Sequence, residues 1–323
     1  MIINYSLILY FLIAAVFLIS LTTAIIWYWA TPVVVWFRFL ERRYGRMKSG
    51  WLEIRGALTH VLHRSPSDTS NTTDIDTILM LHGLGGDADH WCLLTAEFNA
   101  NTQLLAPDLP GFGASELPQD SVDSPKAYAA WLIDLLDQLE IKQCHVIGNS
   151  MGGYIAAQLA ADYPKRVLSL CLMAPGGVHS APLSETLEEI QSKDTNPMVV
   201  RNIEDQKRIY RLTMHRRLWL PSVMHRWFAR RAKKQAKHAQ SCFDNMRFNA
   251  MHLEDIALQV EQPCLLIWGE KDRILHVDGL DILGALLANN NKVLLEKTGH
   301  LPMLERPQLC ASHYRNFLRN QHF

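Results

Sequence analysis

Gly148-Asn149-Ser150-Met151-Gly152 places a serine at the centre of a G-x-S-x-G run, and Gly153 follows. A serine hydroxyl is a weak nucleophile until a base takes its proton. The run lies between an apolar strand-like stretch, CHVIGN, and a helix-like one, MGGYIAAQLAADYP. That strand–turn–helix context makes the pattern a nucleophile elbow. The turn is sharp, so Ser150 is expected in a strained backbone conformation. Gly148 and Gly152 let strand and helix approach closely. The turn also sets the free N–H groups and positive end of a helix beside a developing oxyanion.

The chain has 14 histidines. His300, in KTGHLP, differs from the rest by following the last strand-like run on a Gly-containing loop. It is the candidate base. Asp272, in WGEKDR, lies just past the strand-like CLLIWG and is the candidate orienting acid. Asp is also a common turn residue, and Glu270 is its rival. Acyl transfer further needs donors for the oxyanion. His82-Gly83-Leu84-Gly85-Gly86 follows the apolar TILML. The backbone N–H groups of Leu84 and Met151 are assigned to this task. His82 is expected to brace the turn, and Asp108-Leu109-Pro110-Gly111-Phe112-Gly113 to form a structural loop nearby. No metal or organic cofactor is implied.

These residues need a scaffold that holds separate strand ends together. From Trp51 onward short apolar runs alternate with helical ones. Trp51–Arg55 and Thr59–His63 suggest an opening hairpin, and Ser65–Asp76 an exposed loop. Thr77–Leu81, Gln103–Ala106, His145–Gly148, Val167–Met173, Cys264–Trp268 and Lys292–Glu296 are strand candidates. Most are continuously apolar, as strands buried on both faces of a parallel sheet are. Ala127–Leu139 is helical, with Tyr128, Leu132, Leu135 and Leu139 on one face. The fold class is α/β. From about Pro175 to Gln262 no strand-like run occurs, which suggests an inserted helical cap. The expected division is 1–40 as an N-terminal membrane anchor, 41–174 and 263–323 as the two parts of the core, and 175–262 as the cap.

Met1 to Phe37 carries no charged side chain, and Leu7 to Trp29 is almost wholly apolar. As a helix this run would reach about 34 Å, enough to cross a bilayer's hydrocarbon core. Trp27, Tyr28 and Trp29 suit a lipid–water interface, and Pro32 would break or bend the helix. A cleaved signal peptide needs a basic start and a shorter apolar core. Arg38, Arg42, Arg43, Arg46 and Lys48 follow, opposed by Glu41. The expectation is a single-pass membrane protein with its catalytic domain on the cytoplasmic side.

Formal net charge is zero, which argues against nucleic acid as a partner. None of the six cysteines is spaced as C-x-x-C. Cys171 and Cys264 fall in strand-like runs and read as core residues. Within the cap, Arg226, Arg230, Arg231, Lys233, Lys234 and Lys237 form a basic run mixed with Trp219, Leu220, Val223, Trp227 and Phe228. That mixture suits a helix on an anionic bilayer, and equally a cap helix with one buried and one solvated face.

The order Ser150, Asp272, His300 is the chain order of α/β hydrolases. The stretches LMLHGLGGDADHW, APDLPGFGAS, HVIGNSMGGYIAAQLAADYP, LIWGEKDRIL and TGHLPMLERP resemble that superfamily from about Thr77 to Phe317. The resemblance points to membrane-anchored monoacylglycerol lipases and related bacterial lipases, and Thr195-Asn196-Pro197-Met198 is reminiscent of the same group. It implies the α/β-hydrolase fold, with a mostly parallel central sheet, flanking helices and a helical cap over an acyl pocket. The implied activity is serine-dependent cleavage of lipid-like carboxylic esters through an acyl-enzyme. GNSMGG with LMAPGG also resembles the C–C bond hydrolases of aromatic degradation. Those carry Trp after the catalytic His, where this chain has Leu301. A third reading is a membrane-tethered binding protein without activity.

Overall fold

The apolar runs pair into one eight-stranded sheet. The computed structural model describes residues 5–28, 30–66, 77–120, 122–193, 195–217 and 219–321, with side chains for all of these except 5–9, 23–28 and 30. Strands β1 (Lys48–Ile54) and β2 (Ala57–Arg64) form the expected hairpin. They are followed by β3 (Thr77–Leu81), β4 (Gln103–Pro107), β5 (Cys144–Asn149), β6 (Val167–Met173), β7 (Cys264–Gly269) and β8 (Asn290–Leu295). The spatial order is β1-β2-β4-β3-β5-β6-β7-β8. The pairs β1/β2 and β2/β4 are antiparallel and all others parallel.

Two buried clusters flank the sheet because successive side chains point to opposite faces. On β3, Leu79 and Leu81 join one cluster, and Ile78 and Met80 the other. In chain order α1 (Tyr5–Tyr28) and α2 (Ala30–Tyr44) precede β1, and the short α3 (Cys92–Ala96) follows β3. On one face pack α4 (Pro125–Gln138) and α5 (Met151–Asp162). Helix α4 starts at Ser124, whose hydroxyl accepts from the Ala127 N–H at 3.3 Å, with Pro125 at its first position. It buries Tyr128, Trp131, Leu132 and Leu135. Between β6 and β7 come α6 (Glu185–Lys193), α7 (Ile203–Thr213), α8 (Ser222–Asp244) and α9 (Leu253–Ala257). Helices α10 (Gly279–Leu286), α11 (Pro302–Glu305) and α12 (Pro307–Arg319) complete the chain.

The N-terminal expectation needs correction in part. Among the described residues no helix is long and apolar enough to cross a membrane. The expected span, Leu7 to Trp29, lies partly outside the described residues: its side chains are described for 10–22, and those of Trp27, Tyr28 and Trp29 are not. Of the expected loop Ser65–Asp76, residues 67–76 also lie outside. Pro32 falls in the first turn of α2, where a missing N–H has no intrahelical partner to lose. Helix α2 packs against α8. The Arg38 guanidinium lies 5.0 Å from the ring centre of Trp227 and 5.6 Å from that of Phe228. Trp227 is thus engaged within the protein, because a cation on α2 covers its ring.

All six cysteines are free and buried. Burial pushes the thiols up, those of Cys144, Cys242 and Cys310 to about 12.

Candidate active site

Ser150 ends β5 and precedes α5, at φ 55° and ψ −118°. A non-glycine residue held there stores on the order of 1–3 kcal/mol of backbone strain. The elbow is fixed from several sides. The Ser150 N–H donates to the Met173 carbonyl at 3.0 Å, and the Ser150 carbonyl accepts from Gly176 at 2.9 Å. A Cβ on Gly152 would lie 2.1 Å from the Leu81 carbonyl oxygen, and one on Gly148 would lie 2.2 Å from that of Gly152. Both positions therefore require glycine. The Gly153 and Tyr154 N–H groups close onto the Ser150 carbonyl at 3.0 and 3.1 Å. Met151 precedes these first bonds, so its N–H is among the donors that a helix start leaves unpaired.

The loop after β3 folds back through a Gly86 N–H to Gly83 carbonyl bond of 3.0 Å, with Gly85 at φ 70°. That turn does not use the Leu84 N–H. His82 braces the loop as its position suggested. Its Nδ1 donates to the Gly83 carbonyl at 2.8 Å, while Nε2 accepts from the Leu109 N–H at 2.9 Å. One nitrogen donating and the other accepting defines a neutral imidazole, and burial lowers its pKa accordingly. The next loop is held by the buried Asp108, which accepts from Ala88 and Ala114, each at 2.7 Å.

His300 Nδ1 lies 2.7 Å from Asp272 Oδ2, and their side chains are 5% and 0% exposed. The other carboxylate oxygen, Oδ1, accepts from the Ile274 and Leu275 N–H groups at 2.8 and 3.0 Å. Glu270 does not reach His300. It pairs with Lys271 at 3.0 Å and accepts from the Lys297 N–H at 3.1 Å. Leu84, Ser150 and His300 line one cavity of about 300 Å³, with Asp272 behind the imidazole. Ser150, His300 and Leu84 thus share a chamber, and Asp272 bonds the His300 imidazole from its far side. This is the arrangement acyl transfer requires.

The strand order, the elbow and this buried His–Asp pair fix the architecture. A family model described as the alpha/beta hydrolase fold matches residues 76–307. The chain belongs to the α/β-hydrolase family. Lipase 1 of Psychrobacter immobilis is 30% identical over 75% of this chain and 76% of its own length. Monoacylglycerol lipase ABHD6 of Homo sapiens is 29% identical, covering 76% of both chains. A crystal structure of a membrane phospholipase A, described as a bacterial virulence factor, superposes with a TM-score of 0.84 at 30% identity, over 96% of this chain and 99% of that one.

Two further features of this α/β hydrolase escaped the sequence argument. The first is Glu305, which is 8% exposed. One carboxylate oxygen accepts from the Gly299 N–H at 2.8 Å, and the other from the Arg216 N–H at 2.6 Å. The His300 N–H in turn donates to the Thr213 carbonyl at 2.8 Å. The loop carrying His300 is thereby tied to the segment joining α7 and α8. An acid five residues after His300 was the available signal, but no spacing rule interprets it.

The second is a chain of ions beside the cavity. Asp87 is bonded by Arg38 of α2 at 2.6 Å and by Arg231 of α8 at 2.8 Å. Asp89 takes Arg38 and Arg42. Burial alone would raise the Asp87 carboxyl, but the two guanidinium groups hold it well below the usual carboxylate range. Helix α2, the loop after β3 and helix α8 are joined through these pairs.

Proposed function

We propose that Ser150, His300 and Asp272 form the catalytic triad of a carboxylic-ester hydrolase acting on lipid-like substrates, of monoacylglycerol lipase or esterase type. The His300–Asp272 bond of 2.7 Å, buried behind a cavity that also holds the strained Ser150, carries this reading. The similarity to Lipase 1 and to monoacylglycerol lipase ABHD6 supports the substrate class. His300 removes the Ser150 proton as the hydroxyl attacks the ester carbonyl. The Leu84 and Met151 N–H groups stabilise the oxyanion, His300 protonates the departing alcohol, and water resolves the acyl-enzyme. The segment from α6 to α9 acts as a cap, and its Met198, Val200, Ile209, Met214 and Met224 supply an apolar wall for the acyl chain. The test is a panel of monoacylglycerols, triacylglycerols, phospholipids and a vinylogous C–C substrate, with wild type and Ser150→Ala. Serine-dependent turnover led by lipid esters is expected; turnover of the C–C substrate alone would reassign the reaction.

The same proposal holds the N-terminal apolar segment against a membrane, with the hydrolase core on the cytoplasmic side. Every described side chain from Tyr10 to Thr22 is exposed, most of them large and apolar, and a continuous apolar surface seeks a nonaqueous environment. Arg230, Lys233, Lys234 and Lys237 form an exposed basic row on α8 suited to an anionic lipid surface. Cell fractionation with and without residues 1–29 tests the anchor. Recovery of both forms in the soluble fraction would sink it.

Glu305 acts in this scheme as a positioning residue. Glu305→Gln replaces one acceptor by a donor facing an N–H and so releases either Gly299 or Arg216. The expected result is a fall in kcat of about 10- to 100-fold with KM little changed, since small displacements of a base are costly. Steady-state kinetics on a short-chain ester separate the two parameters.

A further inference from the structure

The cavity is chemically lopsided. Its cap-region wall is mostly apolar, with Gln206, Arg231 and Gln235 among its polar exceptions, whereas the wall made by α2 and the loop after β3 carries Arg38, Glu41, Asp87, Asp89 and His90. On α2 the lining residues are Val34, Phe37, Arg38 and Glu41. They recur at i, i+3, i+4 and i+7, so one helix face is turned to the chamber. This helix face, unlike the loop after β3, precedes residue 76, where the family match begins.

Most charges on the polar wall are already matched, Asp87 and Asp89 by arginines on two helices. Glu41 is different: among the described residues its carboxyl enters no ion pair or side-chain hydrogen bond. Burial first, and then the neighbouring Asp89, push it up to about 7. A carboxyl in that range is partly protonated at neutral pH and presents both a donor and an acceptor. His90 sits on the same wall, against Gly86, and burial lowers its pKa as well. Its Nδ1 is buried without a partner. A neutral imidazole and a half-protonated carboxyl are unsuited to holding an anion. They match hydroxyl groups, which donate and accept in the same way.

Resting on the ester-hydrolase reading of this cavity, we propose that Glu41 and His90 form its alcohol subsite and select esters whose alcohol part carries free hydroxyl groups, such as a monoacylated polyol. The acyl chain lies along the apolar cap wall. The ester carbonyl sits at Ser150, and the polyol hydroxyls meet Glu41 and His90. A site built to pair hydroxyls rejects an analogue that lacks them, because its polar groups are then left unpaired.

The test uses the full chain in detergent and two substrates with one fatty acid, its monoacylglycerol and its ethyl ester. For Glu41→Leu the ratio of kcat/KM, monoacylglycerol over ethyl ester, is expected to fall about 10-fold, the scale of one lost buried hydrogen bond. Glu41→Gln keeps a donor and an acceptor and should retain most of the ratio. His90→Phe, on a different element, should lower the ratio as Glu41→Leu does. An unchanged ratio in both Glu41→Leu and His90→Phe, with Ser150-dependent turnover intact, overturns the subsite and leaves the ester-hydrolase reading standing. Absence of Ser150-dependent turnover of either ester in the wild type overturns both.

Discussion

Ser150→Ala should reduce ester turnover by on the order of 10^5-fold while leaving thermal stability almost unchanged. The activity loss follows from chemistry, since no other hydroxyl occupies the elbow. The stability expectation follows from how the elbow is held. Its bonds run from the Ser150 backbone to Met173 and Gly176 and from Gly153 and Tyr154 back to Ser150. None uses the side-chain oxygen. Alanine keeps the Cβ and so keeps the cost of φ 55°. A melting curve and labelling by a fluorophosphonate probe check the two halves separately. A variant that melts normally but no longer labels is the expected outcome, and residual serine-independent turnover would point to a different nucleophile.

Asp272→Asn should lower kcat by about 10^3- to 10^4-fold, again in a folded protein. The Asp272 carboxylate accepts three bonds, two from Ile274 and Leu275 and one from His300. An asparagine cannot accept on both sides. If its oxygen stays with the two backbone N–H groups, its amide nitrogen faces His300 Nδ1. The imidazole must then accept at Nδ1 and carry its proton at Nε2. That tautomer cannot receive the Ser150 proton. The reverse rotamer would oppose an NH2 to two N–H groups in a site with no solvent exposure, which costs more. Neighbouring N–H groups therefore hold the damaging orientation in place. Burst-phase kinetics should show acylation, not deacylation alone, becoming slow.

Much of the core was legible because it obeys simple periodicities. Val167–Met173 is apolar except for the buried Ser169 and forms β6 with those bounds. Gln103–Ala106 and Cys264–Trp268 each gained one residue at the C-terminal end. The last strand was displaced: Lys292–Glu296 was expected, and Asn290–Leu295 pairs with β7. Its first residues are polar because it is an edge strand exposed there, which apolar counting overlooks. The candidate triad residues could be picked out because strand ends in an α/β sheet converge at one edge.

What stayed hidden depends on contacts between distant segments. Arg38 and Arg42 looked like a positive flank marking membrane sidedness, yet they bind Asp89, 51 and 47 residues away. The side chains left to carry such a flank are Arg43, Arg46 and Lys48. Trp227 fitted a lipid-facing helix and a cap helix equally well in the sequence, and its cation partner Arg38 on α2 lies beyond any local pattern's reach, because only the fold brings the two helices together. Glu305 showed no recognisable pattern, because its partners are backbone groups on two different loops.

The burial of every cysteine has a practical consequence. Thiol exchange and alkylation proceed through the thiolate, and none of these six sulfurs meets solvent while the fold is intact. Their reaction with an added disulfide reagent therefore has to wait for the chain to open. The native protein carries a built-in stopwatch for its own opening, read without any engineered label. Conversely, one cysteine introduced at an exposed position of the proposed cap would be the fast-reacting site in the molecule, a clean handle for telling local opening there from global unfolding.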